Sequence, residues 1–194
     1  MKKLLLSVLV VLLFIMSCTI PSVHPLVTED IEIQFDEIIG TYEVDDEYWK
    51  FKRNEDKTRS GYYLEVGETK QELKVQYQVY FTELNGRVFA DFFPIYLAED
   101  VIGSFDYIPM HTFARIDMDE GNPVLRYSDM DEMKKLFTEG KVRLKHERMT
   151  NGDILITASS AQLQKFISQH GGNDVFFGLD QELKRLTAKV DAGE

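Results

Sequence analysis

A handful of residues in this sequence are of types, and at spacings, that do chemistry. Cys18 is the only cysteine in the chain, and it follows an apolar run, Leu4 to Met16, that is itself preceded by Lys2 and Lys3. That run is too short for a stable bilayer-spanning helix. A basic start, a short apolar middle and the small Ser17 together describe a secretory signal peptide. Asp91 is the most informative carboxylate, because it lies between Ala90 and Phe92 in an aromatic strand, on the same face as Phe89 and Phe93. If that face is buried, the ionised group must be paired or neutralised. His111 and Arg115, which share a face of a later strand, are its candidate partners. Tyr42, Trp49 and Phe81 are placed to line an apolar cavity, and equally to fill a solid core.

Other chemistry is poorly represented. There is no G-x-S-x-G elbow, phosphate-binding glycine loop or H-E-x-x-H pair. His146-Glu147 lacks a second histidine four residues on, and His111, His146 and His170 are far apart in sequence, so no metal site is expected. Asp117, Asp119 and Glu120 before Gly121 carry only part of a calcium loop and read as an acidic hairpin turn. No cofactor and no catalytic residue are assigned, and an enzyme is the least favoured class.

The tetrad Ile15-Met16-Ser17-Cys18 resembles the lipobox of bacterial lipoproteins. The resemblance implies that residues 1–17 are removed as a signal peptide and that Cys18 becomes the lipidated first residue. The partner is then a membrane, reached through lipid on Cys18, in the bacterial cell envelope. Thr19 stands where an aspartate would favour inner-membrane retention, which implies the outer membrane if the organism is Gram-negative. The mature body has no thiol left for a disulfide, a nucleophile or a metal ligand. Loss of Lys2 and Lys3 takes the net charge from −11 to −13, with 20 basic against 33 acidic side chains. So acidic a surface disfavours nucleic acid and anionic headgroups as partners. Several acyl chains, rather than the protein surface, would hold the molecule to lipid.

The elements that must position these residues follow in order. Residues 18–29, with Pro21 and Pro25 and no hydrophobic period, read as an extended lipidated tether, and 30–194 as a single globular domain. Short aromatic and β-branched runs at Ile31–Phe35, Ile38–Val44, Tyr48–Arg53 and Gly61–Val66 form an antiparallel meander. Leu73, Val75, Tyr77, Val79 and Phe81 alternate with polar neighbours, then Asn85-Gly86 predicts a tight hairpin to Val88–Phe93. Ile95–Tyr107 reads as a short helix or a covering loop. Met110–Met118 and Val124–Tyr127 pair across an acidic turn. A helix over 128–139 is capped by Ser128, Val142–Glu147 reads as a strand, and Asn151-Gly152 marks a second hairpin. Ser159 with Gln162 opens a helix over 159–170, and Leu179, Leu183, Leu186 and Val190 predict a third over 179–190.

The fold class is therefore mainly β (α+β). We expect eight or nine strands in an antiparallel meander, forming a barrel or strongly bent sheet with two or three helices in the C-terminal half. Gly40-Thr41-Tyr42 resembles the G-x-W strand that opens lipocalin-like barrels, with Tyr for Trp. The resemblance implies a barrel whose cavity carries a small hydrophobic ligand. The alternative is an envelope structural or protein-interaction module with a filled core, working through a surface such as Phe92–Tyr96.

Overall fold

The hairpin at the centre of the chain organises the architecture. In the computed structural model, which describes residues 19–55, 60–68, 72–98 and 108–186, β5 (Val75–Leu84) and β6 (Arg87–Leu97) pair along their lengths. Asn85 and Gly86 take φ of 52° and 72°, the left-handed values that a two-residue hairpin turn requires. Alternation sends Val79 and Phe81 to one face and Gln78 and Tyr80 to the other. The segment expected to be a signal peptide and Cys18 lie outside the described residues, as does most of the stretch expected to form a helix or loop after Ile95. β6 itself continues through Ile95 to Leu97.

Around this hairpin a ten-stranded sheet is laid down in chain order. β2 (Gly40–Val44), β3 (Glu47–Arg53) and β4 (Tyr62–Gly67) precede β5, while β7 (Thr112–Asp119) and β8 (Asn122–Tyr127) follow β6. Each pairs antiparallel with its neighbour, and β1 (Glu32–Ile33) adds to β5 at Phe81 and Thr82. The segment expected as a third helix closes the structure instead. β11 (Leu179–Glu182) pairs with β8, β12 (Lys184–Arg185) pairs with β2, and only Leu183 separates them. One short stretch thus joins both edges of the sheet into a nearly closed barrel. The expectation failed because a four-residue spacing such as Leu179 to Leu183 fits one helical turn and also two strand repeats. The open edges of the sheet, which must be paired or covered, decide between them.

Leu183 is wholly buried at this seam, and its N–H donates to the Pro123 carbonyl at 2.9 Å. Beside it, Arg185 spans the end of the barrel, donating to the carbonyls of Glu37 and Ile39 and lying 5.0 Å from the Tyr42 ring centroid. A Cβ on Gly40 would meet the Arg185 guanidinium at 2.5 Å, so only glycine leaves room for it.

The structure has two apolar cores, one on each side of the barrel wall. The interior holds Tyr42, Trp49, Phe51, Phe81, Phe92 and Leu125 among others. Outside, α1 (Met130–Thr138), α2 (Ser160–His170) and the small hairpin of β9 (His146–Arg148) and β10 (Ile154–Ile156) pack onto Phe89 and Phe113. α1 is capped by Asp129 rather than Ser128, its carboxylate accepting from the N–H groups of Asp131 and Glu132. At α2, Gln162 Oε1 accepts from the Ser159 N–H, as the capping-box pattern suggested. Of the strand expected over Val142–Glu147 only its end enters β9, because Val142 and Leu144 are drawn into the outer core.

The segment expected as an extended tether is also part of the body. From Thr19 it runs as a strap between β7 and β10. Ser22 and His111 exchange both backbone hydrogen bonds, at 2.8 and 3.0 Å, while Val23 donates to Ile156 and Ile156 donates to Pro21. Ile20, Leu26 and Val27 are buried. Apolar side chains and backbone groups that find partners override the two prolines.

Replacing Leu183 with alanine should therefore cost about 2–5 kcal/mol of unfolding free energy, since it opens a cavity at the closing seam. Lys184→Ala, an exposed neighbour, should change it by less than about 0.5 kcal/mol. Urea denaturation of both variants measures the difference.

Candidate functional site

Asp91 sits in the middle of β6, opposite Tyr80 of β5 and Phe113 of β7. Ala90 and Phe92 point into the barrel, so the Asp91 side chain points out, and the strap covers it completely. A buried carboxylate is tolerable only with hydrogen-bond donors around it. Asp91 has three: Oδ2 accepts from the N–H of Leu26 at 2.7 Å and of Val27 at 3.2 Å, and Oδ1 faces His111 Nδ1 at 2.8 Å. Same-face reasoning on the sequence left His111 and Arg115 as candidate partners, and the partner is His111.

The pairing fixes the imidazole. With a carboxylate as acceptor, Nδ1 carries the proton and donates it, and in the neutral imidazole Nε2 is then the lone-pair acceptor. Nε2 has no hydrogen-bond partner among the described residues. Phe93, the next outward residue on β6, packs against the ring with centroids 4.7 Å apart and planes 36° apart. Backbone pairing with Ser22 holds the histidine from behind.

His111 is part of the floor of an open groove of about 560 Å³ on the outer wall. Tyr80, Gln78 and Phe93 come from the sheet, and Pro25, Val27, Thr28 and Glu29 come from the strap. Glu32 and Ser60 complete it. Tyr80 is fixed by Gly61, whose φ of 92° and missing Cβ let the tyrosine ring approach to 2.7 Å of where that Cβ would stand. No lysine or arginine lines the groove among the described residues.

The barrel interior is different. Tyr42 and Phe81 are wholly buried, and Trp49 nearly so. Phe81 packs against Phe35 and Tyr62 at 5.4 and 5.0 Å, and Tyr42 against Phe51 at 6.1 Å. The remaining void, bounded by Trp49, Tyr77, Phe92 and Tyr127 among others, is about 20 Å³, room for a single water. No charged group faces it, and burial holds the Tyr127 phenol far above its usual pKa. At the β2–β3 end of the barrel, Glu47 Oε2 accepts from the Trp49 indole at 3.2 Å, while Oε1 finds no partner among the described residues. Burial raises the pKa of this carboxyl.

Arg115 lies elsewhere, outside the groove. It is buried against the end of α2, donating to the Gly171 carbonyl at 3.1 Å and to Asp174 at 2.9 Å and Asp117 at 3.0 Å. Asp117 also pairs with Arg126, so the acidic turn at 117–121 is held by arginines. Among the described residues no three histidines or acids cluster as a metal site. Of the Phe92–Tyr96 patch, Ile95 and Tyr96 are exposed whereas Phe92 and Pro94 are buried. Comparison with protein-family models, with curated proteins and with solved structures found no match.

Asp91→Asn tests the pairing. Its amide oxygen can still accept from the strap, but its NH₂ would confront Nδ1–H, so the imidazole proton should move to Nε2. Side-chain ¹⁵N shifts of His111 should report that tautomer exchange, and an unchanged pattern would show that Asp91 does not set the ring. Asp91→Ala, which strands two backbone N–H groups and the imidazole, should cost about 3–5 kcal/mol by chemical denaturation.

Proposed function

We propose that this protein is a lipid-anchored component of the bacterial cell envelope whose barrel is a filled scaffold and whose outer groove, beside His111, binds a small ligand. The observation that carries this reading is the contrast between the two spaces. The groove, at about 560 Å³, has the size of small-molecule sites, whereas the interior void, at about 20 Å³, falls far below the roughly 300–1,000 Å³ such sites need. A polar group fixed in position, within a wall of mixed aromatic, apolar and polar residues, is what gives such a site orientation and selectivity.

The anchor rests on the Ile15–Cys18 tetrad and the basic-apolar leader before it. Its placement in the outer membrane follows the family rule for Thr19 and applies if the organism is Gram-negative. The lipocalin-like reading, with a hydrophobic ligand inside the barrel, is supported by the Gly40-Thr41-Tyr42 strand and the barrel topology. It requires Trp49, Tyr77 and Tyr127 to withdraw from the lumen. A role as a protein-interaction module would use exposed residues such as Ile95 and Tyr96.

Trp49, the only tryptophan, reports on the lumen. Adding a long-chain fatty acid should leave its emission unchanged. A saturable shift would return the ligand to the barrel interior and overturn the filled-scaffold reading. For the anchor, growth with a clickable fatty acid should label the wild type and not Cys18→Ser. Equal labelling would remove the lipid.

A further inference from the structure

Among its described lining residues the groove offers acceptors and negative charge, and no lysine or arginine. With Nδ1 donating to Asp91, the neutral His111 imidazole presents Nε2 as a lone-pair acceptor. Glu29 and Glu32, on the strap and at the start of β1, have no ion-pair partner among the described residues. The Thr28 hydroxyl already accepts from Gln164 Nε2 at 3.1 Å. Tyr80 and Phe93 add aromatic faces, which attract cations through the ring quadrupole. From this complementarity we infer that the groove binds a small organic cation carrying N–H donors, of the polyamine class. The inference rests on the groove being the binding site and names the chemistry of its occupant.

The recognition follows from the parts. One ammonium donates to His111 Nε2 at the floor, where Phe93 and Tyr80 shield it from water. A second, several methylenes away, reaches the carboxylates of Glu29 and Glu32 at the rim. The methylene chain between them lies along Val27 and Pro25. A neutral sugar would leave the two carboxylates unused, and an anion would face them with no lysine or arginine among the described lining residues to compensate.

The test is calorimetry and ¹H–¹⁵N spectroscopy on the full chain in mild detergent, with spermidine, glucose and inorganic phosphate as separate probes. Spermidine should bind saturably, shift the His111 ring nitrogens and the Thr28 amide, and bind more weakly as sodium chloride is raised. Glu29→Gln with Glu32→Gln, at exposed and half-buried positions and so expected to leave the fold intact by circular dichroism, should weaken binding at least tenfold. Spermidine binding equally well to this double variant would overturn the inference. Binding of glucose or phosphate at the same residues, without spermidine, would overturn the cationic class while leaving the groove as the site. No groove shift with any probe would overturn both.

Discussion

Three donors converge on the buried carboxylate of Asp91, and the outer half of the molecule is arranged around that convergence. Two are backbone N–H groups of the strap, at Leu26 and Val27, and the third is the His111 imidazole. Take the carboxylate away and the strap has two buried N–H groups with nowhere to point, a cost that native interiors rarely carry. The strap in turn joins the barrel to the outer layer. Leu26 donates to Asp91 on one side and accepts from Gln164 of α2 on the other, at 3.0 Å, and Ser22 and Val23 bridge His111 to Ile156. The same interaction therefore positions the histidine, seats the N-terminal segment and ties in the helical layer.

Strands β6 and β7 are buried on both faces, which explains why their sequences are aromatic on the side where an isolated barrel would be polar. Ala90, Phe92, Ala114 and Ile116 face the interior, and Phe89 and Phe113 support the outer core. Burying a large apolar side chain contributes roughly 1.5–3 kcal/mol, so doubling the buried face adds stability where the sheet would otherwise meet water. It also moves the usable space. Among the described residues large aromatics occupy the lumen, and an open groove is formed outside, between the strap and β5 and β6.

Local chemistry made much of this legible. Asn85-Gly86 determines its turn whatever surrounds it, and the two-residue alternation of β5 survives in the structure because one face is buried and the other is not. The partner of Asp91 could be narrowed to His111 or Arg115 because residues on alternate positions of a strand share a face and a buried carboxylate needs a donor, and the fold decided for His111. Leu179 and Leu183 misled because their spacing suits both periods and the deciding fact, an unpaired edge on β8 and on β2, lies more than fifty residues away. The strap carried its signal in Ile20, Leu26 and Val27, but prolines between them broke any period. The groove was out of reach, since its walls come from four separate parts of the chain and no one of them carries a pattern of its own.

The strap's partners, Asp91, His111, Ile156 and Gln164, are all far away in sequence, and the barrel seam joins Tyr42 to Arg185. Both arrangements demand long loops to be closed before they return any contact energy, the property that slows folding. The strap consequently lacks its full set of partners until α2 has formed, and β2 waits still longer for its second neighbour. Such a chain gains its decisive contacts late and completes its fold only as a whole.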